Sequence, residues 1–297
     1  MSAIIRLRLW PLRVLWVVLA LCAAGPGGDA LDGRSTSVVV AVTAAAWVGW
    51  AGALVAMLVP RTLSLTAIRI LVPAGWAAAV AAVAIGDTAD ALDAVTLTVA
   101  TAALVFALSP ITTDSCVDGS SYGPERRIAL RTPLVLSIIA AITWLVMLGG
   151  ATAGVLLLAA GQWATGAAAA IIGFAVVWFG ARSLHQLSKR WLVLVPTGMV
   201  LHDPLVMPEP QLFLRQTMAR LGPAEVGDVD DPDVTTEDLT AGASGLVMAI
   251  DLSEPVELLV REDRKGTTLR PVDRVLFCPA LPAELLIEAR ARRLPVS

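Results

Sequence analysis

Gly119-Ser120-Ser121-Tyr122-Gly123 has the form G-x-S-x-G, the spacing that lifts a serine nucleophile onto a strained turn when a strand leads in and a helix leads out. The run ahead of it, Thr112 to Asp118, is polar rather than strand-forming, and neither His185 nor His202 is near in sequence. A serine hydrolase therefore lacks both base and scaffold, and the segment reads as a Gly/Ser loop. Cys116 lies in the same stretch and reads as a free thiol, because Cys22, Cys116 and Cys278 share no metal or disulfide spacing.

Two acidic groups have the residue types for cation chemistry. Asp87, Asp90 and Asp93 form D-x-x-D-x-x-D, and neighbouring carboxylates can share a divalent ion bound to a diphosphate. They fall on the predicted extracytoplasmic side, where Asp93 has a simpler use as a helix cap. Asp228, Asp230, Asp231 and Asp233 have the look of a calcium loop, but its sixth position needs Gly and holds Asp233, and its twelfth needs Glu and holds Leu239. There is no Walker A sequence and no H-E-x-x-H. No residue is assigned a catalytic, cofactor-binding or metal-ligating role, and no cofactor is expected.

The elements that must position these residues are membrane helices. A chain of 297 residues with 57% hydrophobic and 16% charged residues and a mean hydropathy of +0.75 is far more apolar than soluble domains are. Val14 to Ala24 follows Arg6, Arg8 and Arg13 and precedes the breaker-rich Gly25-Pro-Gly-Gly. It reads as an uncleaved first span, with a cleaved signal peptide as the alternative. Val38 to Val59, Ile70 to Gly86 and Ala94 to about Leu108 give three more spans. Pro133 to Gly180 is long enough for two, turning near Gly161-Gln162, with Pro133 in the first helical turn.

Six spans make every alternate loop basic. Arg61 and Arg69, then Arg126, Arg127 and Arg131, then Arg182, Lys189 and Arg190 lie on the side of Arg6, while the opposite loops carry only Arg34. By the positive-inside rule both termini are cytosolic, in a plasma (inner) membrane. The spans proper hold no Asp, Glu, Lys, Arg or His after the first, which counts against a pump. Thr96, Thr98, Thr101, Thr143 and Gln162 could line a path for a neutral solute, but hydroxyls bonding their own helix are commoner. Trp10, Trp163 and Trp178 read as interfacial anchors, Trp47 and Trp50 as mid-span packing, and the Ala- and Gly-rich faces as sites of close helix approach.

Residues 1–182 form the expected transmembrane domain and 183–297 the cytosolic one. The second holds 12 Arg and Lys against 17 Asp and Glu, a negative balance that argues against nucleic acid as a partner. Its strand candidates are Trp191 to Val195 and, across the turn Pro196-Thr197-Gly198, Met199 to His202, then Leu205 to Met207, Leu212 to Leu221 as one bent or two short strands, Leu246 to Leu252, Val256 to Arg261 before a Lys265-Gly266 turn, and Arg274 to Phe277. Pro282 opens a helix over Ala283 to Leu294, and residues 223–244 read as a flexible acidic insertion.

Trp191-Leu-Val-Leu-Val-Pro-Thr-Gly-Met-Val-Leu-His-Asp and Arg274-Val-Leu-Phe-Cys-Pro-Ala-Leu-Pro, followed by the helix, resemble the bacterial PH-like domains carried by small polytopic membrane proteins. The Arg-rich, Lys-poor, Ala-rich composition resembles that of actinobacterial proteins. The resemblance implies a small, mostly β domain of α+β class, acting as a binding or assembly scaffold. The expected fold class is thus an α-helical polytopic membrane bundle followed by a PH-like domain. The expected function is a non-enzymatic envelope protein whose cytosolic domain engages a protein partner. Passage of a neutral or lipidic substrate is the alternative, and a membrane enzyme built on the Asp87 cluster is a third.

Overall fold

A computed structural model describes residues 8–86, 90–225, 234–262 and 266–297. Among them are nine helices and eight strands. They fall into two compact units, Met1–Gly119 with Ile139–His185, and Ser120–Ile138 with Gln186–Ser297.

The helical unit opens with α1 (Trp10–Cys22) and α2 (Ala24–Leu31), which meet at a bend of 41°. Gly25-Pro-Gly-Gly, expected to break the helix, lies inside α2. A proline in the first helical turn gives up no hydrogen bond, so Pro26 is tolerated there. Next come α3 (Thr36–Leu58), α4 (Thr62–Ile85), α5 (Ala91–Ala107) and α6 (Pro110–Asp118), the last two bent by 53°, then α7 (Leu134–Ala159) and α8 (Trp163–Leu187). Four helices, α3, α4, α7 and α8, are long and apolar enough to cross a membrane, and the count rises to six if each bent pair is one span. That is the pattern of a multi-pass membrane protein. The turn expected near Gly161-Gln162 is there, with Gly161 at φ +77° between α7 and α8.

Two devices hold these helices together where lipid offers no hydrophobic drive. The first is indole-to-carbonyl bonding. Trp16 Nε1 donates to the Trp50 carbonyl and Trp50 Nε1 to the Trp16 carbonyl, both at 2.9 Å, clasping α1 to α3. Trp144 Nε1 donates to the Ile70 carbonyl at 3.0 Å, one residue beyond the carbonyl that Pro73, inside α4, leaves without its helical donor. The second is backbone contact at small residues. A Cβ on Gly173 would lie 2.2 Å from the Gly150 carbonyl oxygen, and one on Gly154 would lie 2.7 Å from Ala170 Cα, so α7 and α8 touch main chain to main chain.

The strand unit contains two sheets. The first is an antiparallel meander of β1 (Arg126–Ala129), β2 (Trp191–Val195), β3 (Gly198–His202) and β4 (Gln211–Leu214). Its register runs from Arg126 opposite Leu194 to Ala129 opposite Trp191, and from Trp191 opposite His202 to Val195 opposite Gly198. The second has the order β5 (Met218–Pro223), β7 (Met248–Glu262), β8 (Gly266–Phe277), β6 (Thr236–Asp238), with only β6 to β8 parallel. Between them lie Ile128, Leu192, Leu201, Phe213, Ile250 and Phe277, and α9 (Pro282–Ala291) adds Leu285 and Ala289 to the same core.

Several expectations are revised by this layout. Residues 120–138, placed with the membrane domain by the sequence, group with the strand unit because Arg126–Ala129 pairs with β2. Leu205 to Met207 is a turn rather than a strand, since Val206 N and Met207 N both bond the Asp203 carbonyl. Leu246 to Leu252 and Val256 to Arg261 are one strand, β7, broken only by a register shift between Asp251 and Val256. Within the acidic insertion, residues 226–233 and thus Asp228, Asp230, Asp231 and Asp233 lie outside the described residues, as does Lys265 of the expected turn. The remainder is ordered rather than flexible, as Thr236–Asp238 is strand β6 and Leu239 is buried in the core.

Candidate functional site

Polar side chains gather in the helical unit around α6. Ser109 caps this helix, its hydroxyl accepting from Thr112 N at 3.3 Å, and Pro110 occupies the first turn. Such a start signal forms a helix even where the following residues are polar. Thr112 to Asp118, read from the sequence as a loop, is therefore helical, and every residue in it is buried. On a helix, positions 114, 115 and 118 lie within about 100° of arc, so Asp114, Ser115 and Asp118 share one face.

Four other elements bring charge or hydroxyl groups to this helix and its neighbours. Arg8, just ahead of α1, reaches Asp114 Oδ2 at 3.5 Å. Arg69 of α4 donates from Nη2 to Thr113 Oγ1 at 2.9 Å. Arg13 of α1 donates from Nε and Nη2 to the Met57 carbonyl, at 3.2 and 2.8 Å. Thr66 Oγ1 and His185 Nδ1 share a hydrogen bond of 2.9 Å between α4 and α8. The backbone is equally tight, since a Cβ on Gly119 would lie 2.2 Å from the Pro60 carbonyl oxygen. Ser115 Oγ, 1% exposed, has no hydrogen-bond partner among the described residues, a state that costs about 1–3 kcal/mol in an apolar interior.

The helices run beyond the spans that the sequence bounds, and the extensions carry ionisable groups. Arg69 lies within α4, Arg182 and His185 within α8, and Asp114 and Asp118 within the bent α5–α6 pair. The groups can exchange hydrogen bonds and hold polar matter inside the unit. They do not form a metal centre, because no cluster of three or more His, Cys, Asp or Glu among the described residues is placed to bind an ion.

The other candidates resolve individually. In the G-x-S-x-G segment a helix, α6, leads in and a strand, β1, leads out, the reverse of what a nucleophile elbow needs. Its central serine, Ser121, accepts from Arg127 N at 3.2 Å. Cys116 is buried in α6, and Cys22 and Cys278 are likewise unbridged thiols. Asp90 and Asp93 form a reciprocal capping box at the start of α5, with Asp93 Oδ2 accepting from Asp90 N and Asp90 Oδ1 from Asp93 N. Asp87 lies outside the described residues. Thr98 and Thr143 bond carbonyls of their own helices, Thr101 accepts from Trp76 Nε1, and Gln162 accepts from Thr165. Thr96 alone of these is buried with no partner among the described residues. Trp10, Trp163 and Trp178 are exposed on the helical unit, and Trp47 packs edge-on to Trp50 at 5.4 Å.

In the strand unit, the rings of His202 and Trp191 lie 4.7 Å apart, tilted by 39°, with the Arg127 guanidinium 5.8 Å from the Trp191 ring. Burial pushes the His202 pKa below the ordinary imidazole value; Asp203 opposes the shift, and Lys189 and Arg127 add to it. Asp251 accepts from Arg220 and Arg274 at 2.6 and 2.5 Å across three strands. Burial alone would raise its pKa, but the two hydrogen bonds outweigh that and hold the carboxyl below its usual range. Compared with known families, curated proteins and solved structures, the chain matches none.

Proposed function

We propose that this multi-pass membrane protein is a non-enzymatic scaffold of the cell envelope, whose strand unit is a PH-like docking module on the cytosolic side. One observation carries the reading. An antiparallel meander of four strands, a second sheet in the order β5-β7-β8-β6 and a closing helix that adds Leu285 and Ala289 to the core support it, while the parallel pairing of β6 with β8 is a departure. Here the α7–α8 hairpin is inserted between the first and second strands. Fold alone supplies no partner, so the docking role rests also on Ser121, Asp90 and Asp93 being engaged in backbone hydrogen bonds. Orientation follows the alternation of basic loops.

Two measurements test the proposal. Reporters fused after Ser297 and near Ser120 should read cytosolic, and one near Asp90 external; a cytosolic signal at Asp90 would overturn the topology. Photo-crosslinking from Trp191 or His202 positions in native membranes should trap one discrete protein repeatedly, and a smear of unrelated products would count against docking.

A second reading, passage of a neutral or lipidic substrate, is favoured by the α5–α6 break with its buried hydroxyls, because discontinuous helices often border substrate sites. Flux in proteoliposomes that is abolished by Ser115→Ala would select it over the scaffold.

A further inference from the structure

The second turn of α4 carries a guanidinium with little to hold it. Arg69 donates from Nη2 to Thr113 Oγ1 at 2.9 Å, and no other hydrogen bond and no ion pair engages its side chain among the described residues. Thr113 gives it no counter-charge, and the hydroxyl spends its own proton on the Ser109 carbonyl at 3.2 Å. Asp114, the carboxylate next to Thr113 in sequence, meets Arg8 at 3.5 Å instead. Cys116 is within electrostatic reach of Arg69, but a buried thiol supplies no fixed negative charge.

A guanidinium presents five N–H donors in a planar fork, and one withdrawn from water without an opposite charge is costly to keep. Arg69 is half-buried, so part of its fork is open to a ligand arriving from outside the helices. Its depth selects that ligand. The uninterrupted apolar run of α4 starts at the next residue, Ile70, and continues to Ile85, about 24 Å at the helical rise, which is most of a hydrocarbon core of about 30 Å. The charge therefore stands at the edge of the apolar slab, the level of lipid head groups, where phosphodiesters are the abundant anions. We propose that Arg69, oriented by Thr113, binds the phosphoryl oxyanion of a membrane lipid between α4 and α6. Thr113 takes one Nη2 proton, and the rest of the fork is left for the two non-ester oxygens, the bidentate geometry that arginine offers phosphate and lysine does not. The site stands whether the protein docks a partner or passes a substrate.

Native mass spectrometry of the full chain, released from detergent micelles, tests the site with two lipids of equal acyl chains, phosphatidylglycerol and diacylglycerol. One phosphatidylglycerol should be retained well ahead of any further copies, whereas diacylglycerol, which lacks the phosphate, should show no such first binding. Arg69→Gln should weaken the first binding about tenfold and Arg69→Lys by less, because lysine keeps the charge and loses the fork. Thr113→Val removes the orienting hydroxyl at nearly constant volume and should also weaken it, while Thr113→Ser should not. Arg61→Gln, at an exposed arginine ahead of the same helix, should leave it unchanged. Inorganic phosphate in excess separates the two sources of the anion. A lipid that stays bound supports the lipid phosphate, and a lipid that is displaced assigns the fork to free phosphate and overturns the lipid. If Arg69→Gln does not accumulate, Arg69→Lys and Thr113→Val carry the test, and first binding unchanged in both would overturn the site. Equal retention of the two lipids by the unaltered chain would overturn it as well.

Discussion

In the strand unit Arg190 is closed in by one carboxylate and one carbonyl at 2.6–2.9 Å, whereas in the helical unit Arg69 meets a hydroxyl and Arg8 meets Asp114 at 3.5 Å. Both regions bury ionisable groups, with different geometry. A planar guanidinium met along its fork fixes direction as well as distance, so the Arg190 pair specifies a shape. Around α6, Arg69 is met by the Thr113 hydroxyl, and Ser115 is left without a partner among the described residues. Such a helix is held by its packing and its cap. The contrast separates a buried charge fixed in one geometry from a buried hydroxyl, that of Ser115, with no partner among the described residues.

The largest expected effect tests the first half of that contrast. Asp203→Ala strands Arg190 in the interior and should cost about 3–5 kcal/mol, read as loss of cooperative melting of the strand unit. Asp114→Ala in the helical unit should cost clearly less. Equal losses at the two sites would erase the comparison.

Removing core from the strand unit comes next. Leu285→Ala should cost about 2–5 kcal/mol, and truncation before Pro282 should expose the core that Leu285 and Ala289 complete. The same logic predicts that residues 183–297 alone are unstable, because Ile128 and Leu130 belong to their core. Residues 120–131 joined to 190–297 through an Asn-Gly turn should instead be soluble and cooperative, since Ala129 and Trp191 already stand opposite one another. Thermal melts of the two fragments check this directly, and a stable 183–297 fragment would show that β1 is dispensable.

In the helical unit the clasp of α1 and α3 is expected to matter less. Trp16→Phe keeps a ring against Gly75 and removes one indole donor, for a loss of about 0.5–1.5 kcal/mol in detergent-resistance melts. The smallest effect is a pH dependence. His202 has a folded pKa below its unfolded value near 6.5, so its contribution is complete above pH 6.5 and is lost as pH falls through the interval down to the folded value. Melting should decline gently below pH 6.5, and His202→Asn should flatten that slope.

Local signals made much of the layout legible. Uninterrupted apolar length marked α3, α7 and α8, and the Pro196-Thr197-Gly198 turn between alternating residues marked β2 and β3. Two elements escaped for different reasons. Arg126–Ala129 is four residues long, half of them arginine, and its partner β2 lies beyond two whole helices, so nothing local announces a strand. For α6 the signal was present, as Ser109 before Pro110 is a helix start, but its polar residues read as loop because amphipathic bookkeeping expects water beside them. Their burial depends on Arg8, Arg69 and the α5 bend, which are tertiary facts. The same holds for Asp93, whose pairing with Asp90 is a cap that spacing alone left open to metal chemistry.

The placement of β1 ahead of the hairpin has a consequence in time. At a synthesis rate of about 5–20 residues per second, the roughly 60 residues between β1 and β2 take about 3–12 s to emerge. Throughout that interval β1 has left the ribosome with no neighbouring strand, while α7 and α8 must first partition into lipid. The sheet can therefore close only after the whole hairpin has been synthesised, and a chain that stops within the hairpin leaves β1 with its β2 partner missing. Completion of the hairpin becomes a precondition for folding of the strand unit, and an orphaned β1 the mark of a chain cut short before β2.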